Sequence, residues 1–367
     1  MASQGAIGQR RSRPLRVESN DHPFFVTSRI VEERFWLHPI LTSALEPPNR
    51  QGRRLCDRLR RHADKRLDKL VKRANALRSP TTPQLTLEVA REIARSAAGA
   101  ALARAQERYD VEVYGFVVMC NHIHLLCQTR HKNLAAFMGY FKARLTDTVN
   151  LLTGKRGPLW ARRYDAEPVL GDEACADRMG YTAGNPSQAN LVDDASDWPG
   201  LNLAYGLTKT QELSFTYLDR TAWHRAKRPG DLRPFLEQAT LVLSPIPSCE
   251  GMDPELYRQS LHTWMEQSLA KVRASKRGGS ARRSDDDPKP TLGIDAIVQA
   301  AFDTRPRTPS FRRRPYAHGP PERVREHCHA TLTLIDDFTS RSQRYRDGQW
   351  DVEFPEGTYR PPLMRAA

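Results

Sequence analysis

The sequence lacks the features that would place it in a membrane or outside the cell. Its six cysteines, Cys56, Cys120, Cys127, Cys175, Cys249 and Cys328, include no CxxC pair. Neither a disulfide framework nor a zinc ribbon fits that spacing, and they read as reduced thiols of a cytoplasmic protein. No apolar run approaches the roughly 18 residues needed for a membrane-crossing helix, which excludes that class. The N-terminal MASQGAIGQRRSRPLRVESN is basic, with no apolar stretch and no cleavage site, so secretion is not expected. No internal repeat is present. Acid is also in short supply: 43 Asp and Glu stand against 57 Lys and Arg in 367 residues, a formal net charge of +14. An excess of this size favours an acidic partner, most often nucleic acid.

What is there suffices for a folded protein. Hydrophobic residues make up 39% of the chain, and the length suggests about two domains with a buried core in at least one. Residues 1–20 read as a basic arm, and HPFFVTSRIV (22–31) as a strand. Gln51 to Arg78 is a basic helix carrying leucines, and Leu85 to Arg108 an alanine-rich one. Together they are expected to form a helical insertion over about 40–106, within a domain of residues 21–206. VEVYGFVVM (111–119) and HIHLLCQT (122–129) are strands, forming either a hairpin or one long strand with a break. Asn133 caps a helix whose Leu134, Phe137, Met138, Phe141, Leu145 and Leu152 recur at helical spacing, and Gly154 ends it. RRYDAEPVL (162–170) is a further strand, and GDEACADRMGYTAGNP (171–186) a helix that Pro186 is expected to end. The order β, insert, β, β, α, β, α predicts an α+β sandwich, one antiparallel sheet with helices on a face. Beyond it come an accessory region (207–270), a charged linker (271–290) and a C-terminal extension (291–367) with a helix near 321–347. The accessory region reads as a short α/β or helical unit, with a helix from Asp253 to Ala274.

The chemistry concentrates in VVMCNHIHLL (117–126). Side chains two apart on a strand share a face, about 7 Å apart, so His122 and His124 can converge on one metal ion. The plainer alternative is a structural histidine pair. His327-Cys328-His329 repeats the pattern on a helix, where the two rings diverge, and is read as structural or surface. Tyr181 and Asn185 are i and i+4 and share a helix face. A phenol, with an ordinary pKa near 10, is a poor nucleophile until its target is polarised. A divalent ion does that for a phosphodiester, and Asn185 offers an amide oxygen beside the two imidazoles. Such a mixed nitrogen and oxygen set suits Mn²⁺ or Mg²⁺ better than structural zinc. The plainer reading of Tyr181 is a core or capping tyrosine.

NHIHLL, GPLWARRYDAEPV (157–169) and the Y-x-x-x-N-P of Tyr181 to Pro186 stand in an order that resembles the single-tyrosine HUH transposases, most of all the REP-associated tyrosine transposases. FFVTSR (24–29) is similar to that family's first strand and DWPGL (197–201) to the segment after its tyrosine helix. The resemblance implies a ferredoxin-like, RRM-like HUH palm, with the tyrosine on a helix facing the histidine strand. It implies that His122 and His124 bind a divalent ion, Mg²⁺ or Mn²⁺, that Asn185 assists them, and that Tyr181 attacks single-stranded DNA to form a 5′-phosphotyrosine. Hairpin DNA at element ends is the implied substrate, and a homodimer a possible state. Three positions depart from the pattern: Cys120 stands where the family usually has Pro, Gly180 and Gly184 flank the tyrosine, and SQANLV replaces an ending that usually holds arginine. Glycine weakens a helix by about 1 kcal/mol each, which is expected to loosen the tyrosine helix.

Other basic residues are candidate DNA contacts. Trp160 beside Arg162 and Arg163 offers a stacking clamp for a single strand, or else a buried indole with solvated arginines. Lys142 and Arg144 lie on the following helix, and Arg53, Arg54 and Arg58, with Arg60 and Arg61, form the densest cluster. The leading expectation is a metal-dependent transposase cutting single-stranded DNA, acting in the cytoplasm at the nucleoid. Two rivals remain: a non-catalytic DNA-binding repressor on the same fold, and a metal-dependent nuclease that activates water.

Overall fold

A computed structural model describes residues 17–31, 36–37, 65, 67–77, 85–189, 191–202, 212–227, 230–278 and 315–361. Four strands, β1 (Phe24–Arg29), β2 (Val111–Val118), β3 (His122–Thr129) and β4 (Asp165–Pro168), form an antiparallel sheet in the order β2-β3-β1-β4. Helix α1 (Leu87–Tyr109) connects β1 to β2, and α2 (Leu134–Thr153) connects β3 to β4. That path is the split β-α-β arrangement of ferredoxin-like folds, and the expected α+β class is borne out. β2 and β3 are a hairpin, in register from Val111↔Thr129 to Val118↔Ile123 with a bulge between Val113 and Gly115.

Strand alternation divides the sheet into two faces. Phe24, Val26, Ile123, Leu125 and Cys127 point to α1 and α2 and meet Phe137, Met138, Phe141 and Leu145 in the main core. Phe25 and Leu126 point the other way, onto Cys175, Met179 and Ala183 of α3 (Asp172–Gln188). Helix α1 begins at Thr86, whose hydroxyl accepts from the Val89 N–H, and ends at Asp110 in the left-handed region at φ 49°. Its alanines from Ala97 to Ala105 are buried in that same core. The helix is therefore a built-in crossover, and the insertion expected over 40–106 does not extend through it. Its small side chains look sparse in sequence, but they let the helix lie close to its neighbours: a Cβ on Gly99 would sit 2.4 Å from the Phe215 ring. Residues 67–76 are helical, with Leu67 and Val71 packed on the outer end of α1, while residues 38–64 and 78–84 lie outside the described set.

The accessory region is a two-stranded hairpin, β5 (Glu212–Leu218) and β6 (Leu236–Val242), with short helix α4 (Arg220–Arg225) in its connection. Phe215, Ala239 and Leu241 bring it into the main core. Helix α5 (Pro254–Gly278) then backs α3 through Tyr257, Leu261, Met265 and Leu269. It runs into the stretch expected as linker (271–290), of which residues 279–290 lie outside the described set. Helix α6 (Pro321–Arg346) follows a segment that extends the sheet edge, where the Leu170 N–H donates to the His318 carbonyl (2.7 Å) and the His318 N–H to that of Pro168 (2.8 Å).

Two features of α3 differ from expectation. The helix passes through Pro186 to Gln188, because the proline falls in the last turn, and the Ala189 and Leu191 N–H groups donate to Asn185 and Pro186 and carry the backbone past it. Gly180 and Gly184 face α5: a Cβ on Gly180 would lie 2.3 Å from the Trp264 carbonyl oxygen, and one on Gly184 3.2 Å from the Met265 side chain. The glycines permit a close helix pair, a packing reason for their presence in place of looseness. Gly180→Ala is expected to destabilise the protein by about 1–3 kcal/mol through overpacking against backbone. Gly139→Ala in α2, where a Cβ meets nothing within 4 Å, is expected to stabilise it by about 1 kcal/mol. Urea unfolding midpoints at constant slope measure both.

Candidate functional site

Strand β3 turns Ile123 into the main core and both of its flanking histidines to the opposite face. The β1–β3 register sets Thr27 across from His124 and Arg29 across from His122. The imidazole centroids are 4.9 Å apart with planes at 79°. Each ring is fixed from behind: His124 Nδ1 lies 3.0 Å from the Thr27 hydroxyl, and His122 Nδ1 lies 2.7 Å from the Asn121 amide oxygen. With that oxygen accepting, His122 carries its proton on Nδ1 and presents Nε2 as a lone pair. Phe25 stacks on His124 at 5.1 Å and 15°.

Helix α3 closes the site from above. The Tyr181 ring lies 5.4 Å from the His124 ring and 5.7 Å from that of Phe25. Asn185, one turn on, is buried, and its side chain acts on His122 in the direction that raises its pKa. The Arg178 guanidinium sits 4.9 Å from the Tyr181 ring centre and 5.5 Å from that of Phe25. Asp177 holds Arg178 at 2.5 Å and Lys271 of α5 at 2.6 Å. Burial, with the Arg29 charge adding, lowers the His122 pKa from 6.5 to about 3. Burial also takes His124 well below its ordinary value, helped by His122, Arg29 and Arg178. Both rings are neutral at pH 7, the form in which imidazole binds metal.

The structure thus brings His122, His124, Tyr181 and Asn185 together. It does not place the other candidates with them in the same way. Trp160 belongs to the opposite side: its indole N–H donates to the Lys142 carbonyl (3.0 Å) and the Thr146 hydroxyl (3.1 Å) of α2, and its ring packs on the main core. Of the two readings of Trp160 the structure has the packed indole, because the β4 approach turns it toward α2. The Lys142 ammonium lies 4.9 Å from that ring, Arg144 pairs with Asp147 on the same helix, and Arg163 is exposed. Arg162 pairs with Asp165, the β4 residue across from Thr27. Arg53, Arg54, Arg58, Arg60 and Arg61 lie outside the described residues. Sequence reasoning missed Phe25, Thr27, Arg29 and Arg178. The signal was available in the FFVTSR alternation, which puts 25, 27 and 29 on the histidine face, and in Arg178 three residues before the tyrosine. His327 and His329 diverge as expected, with His327 near His22 (ring centroids 6.1 Å) and His329 exposed. Among the described residues no cluster of three His, Cys, Asp or Glu side chains gathers, and no helix is long and apolar enough to cross a membrane.

The resemblance read from the motifs is borne out by comparison with known families. Residues 87–176 match the family model described as "Transposase IS200 like". The matched span takes in α1, the histidine strand and the start of α3, and stops before Tyr181. No curated protein matches the chain. A solved structure of a REP-associated tyrosine transposase bound to a REP hairpin is similar at 14% identity and a TM-score of 0.31, covering 52% of this chain and 81% of that one. That likeness is too low to carry an argument.

A half-buried histidine outside the site supplies a stability test. Burial, and then the neighbouring His327, lowers the His22 pKa from 6.5 to about 4. Above pH 6.5 the ring is neutral in both folded and unfolded chains, and its contribution is complete. Below 6.5 the unfolded chain takes up a proton that the folded one refuses, so stability is lost down to about pH 4. The thermal midpoint of the metal-free chain is expected to fall across that window, and His22→Gln to flatten the slope. An unchanged slope in the variant rules out His22 as a contributor.

Proposed function

We propose that the protein is a DNA transposase that cleaves and rejoins single-stranded DNA through Tyr181 and recognises hairpin DNA at element ends. The observation that carries this reading is the gathering of two neutral imidazoles, an amide and one tyrosine between β3 and α3. The family match over residues 87–176 supports it. A structural histidine pair has no need of a tyrosine and an asparagine from a separate helix in contact with it.

His122, His124 and Asn185 would hold a divalent ion, Mn²⁺ or Mg²⁺. The fit rests on the donors themselves: two nitrogens with their Nδ1 sides anchored, one amide oxygen, and no carboxylate cage, which leaves positions for phosphate oxygens and water. When bound, such an ion neutralises phosphate oxygens and eases attack at phosphorus. Thr27 and Asn121 hold the rings in place for it. Tyr181 supplies the nucleophile: its Oη bonds to phosphorus, the P–O3′ bond breaks, and the 3′ oxygen leaves as a hydroxyl. The 5′ end stays on the tyrosine as a phosphodiester, so a second 3′ hydroxyl can reverse the step without ATP. The basic excess attracts the DNA, and the reading places the protein in the cytoplasm with the chromosome.

Incubating the chain with a single-stranded oligonucleotide bearing a hairpin, in Mn²⁺, is expected to give a covalent adduct that survives denaturing electrophoresis. Tyr181→Phe is expected to abolish it. Cleavage that persists in Tyr181→Phe with no linked product would overturn the tyrosine mechanism in favour of activated water. No adduct with the wild-type chain, alongside tight hairpin binding, would favour a DNA-binding repressor. Thr27→Val removes the anchor of His124 and is expected to weaken Mn²⁺ binding roughly 10-fold, as read by calorimetry without DNA.

A further inference from the structure

We propose that Arg29 and Arg178 form an anion-binding pair that grips the non-bridging oxygens of a phosphodiester at the histidine pair. The proposal rests on the transposase reading for its substrate and assigns two residues that reading leaves without a role. Arg29 ends β1 directly across from His122, on the histidine face. It is half-buried, and among the described residues it has no carboxylate partner. Arg178 approaches from α3, with its guanidinium over the Tyr181 and Phe25 rings and its Nε buried without a hydrogen-bond partner. Its one carboxylate, Asp177, is shared with Lys271.

Among the described residues, positive charge around the site exceeds negative. The histidines and Asn185 are neutral donors. Among the described residues, three carboxylates of β4 and α3 are already engaged: Asp165 with Arg162, Glu167 with His318 at 2.7 Å, and Asp177 with both Lys271 and Arg178 itself. A divalent ion on the histidines would add to the charge of Arg29 and to that of Arg178, whose carboxylate Asp177 is shared with Lys271. A phosphodiester supplies the missing negative charge. Guanidinium matches it geometrically, since its planar N–H fork pairs with two phosphate oxygens. One arginine stands on the His122 side and the other on the Tyr181 side, so the phosphorus they hold lies between the histidines and the nucleophile.

Two measurements test this separately from the reading it rests on. Inorganic phosphate titrated into the metal-free chain, followed by calorimetry at low salt, is expected to bind, and Arg29→Gln and Arg178→Gln are each expected to weaken that binding at least 10-fold. On the hairpin oligonucleotide with Mn²⁺, each variant is expected to lower the rate of adduct formation at saturating DNA roughly 100-fold, while DNA affinity changes far less because other basic surface still holds the strand. Arg29→Lys and Arg178→Lys keep the charge without the fork and are expected to restore phosphate binding in part; they also serve if a glutamine variant fails to fold. Wild-type phosphate binding and adduct rate in folded Arg29→Gln and Arg178→Gln would overturn the proposal and leave the transposase reading intact. Arginine-dependent phosphate binding in a wild-type chain that never forms an adduct would uphold the anion site and sink that reading instead.

Discussion

The antiparallel pairing of β1 with β3 is the constraint on which the site depends. Side-chain direction alternates along each strand, so a slip of one residue would exchange the two faces of the sheet. The register is held by apolar burial on one face: Val26, Ile123 and Leu125 have a place only against α1 and α2. With that face fixed, Phe25, Thr27 and Arg29 must stand beside Leu126, His124 and His122 on the other. The polar site is thus positioned by hydrophobic residues that take no part in it. It also explains why His124 can be buried and His122 half-buried as neutral rings at modest cost, since each keeps a hydrogen bond on Nδ1.

The second constraint is the closeness of α3 and α5. The tyrosine helix has a sheet beneath it and a helix above it, and glycine at 180 and 184 lets the upper helix approach to backbone distance. Two glycines in succession at a four-residue spacing cost local helix stability, but burial of Tyr257, Leu261, Met265 and Leu269 against the same helix offsets it. Tyr181 therefore sits on an element stapled from outside the palm. The ion pair of Lys271 with Asp177 links α5 to the residue next to Arg178, so the region beyond the palm shapes the site although it supplies no histidine or tyrosine.

Much of this was legible in the sequence, and for identifiable reasons. The histidine strand, the helix after it and the Tyr181–Asn185 spacing each carry a strong local period, and one face followed from the spacing alone. The crossover role of α1 was not legible, because alanine marks no face and its packing appears only when Phe215, from more than a hundred residues downstream, lies against Gly99. The side taken by Trp160 was not legible for a related reason. Its neighbours in sequence are arginines, but its neighbours in space are Lys142 and Thr146 of α2, and no local pattern tells an indole which side of a sheet edge to take. Pro186 shows that a helix-breaking residue loses its force in a last turn where the following N–H groups find carbonyls.

Net charge and site charge act over different ranges. The formal +14 attracts polyanions from a distance and is screened by salt over roughly 10 Å at 0.1 M, so by itself it selects no particular ligand. At the histidines the positive charge is local and half-buried, and screening there is weaker. Arg29 and Arg178 both disfavour a proton on His124, and by the same Coulombic sign they oppose a metal cation that arrives alone. An anion that arrives with the metal, or before it, removes that opposition. On the proposed reading, cation and phosphate would favour each other's binding, a coupling that must be reciprocal.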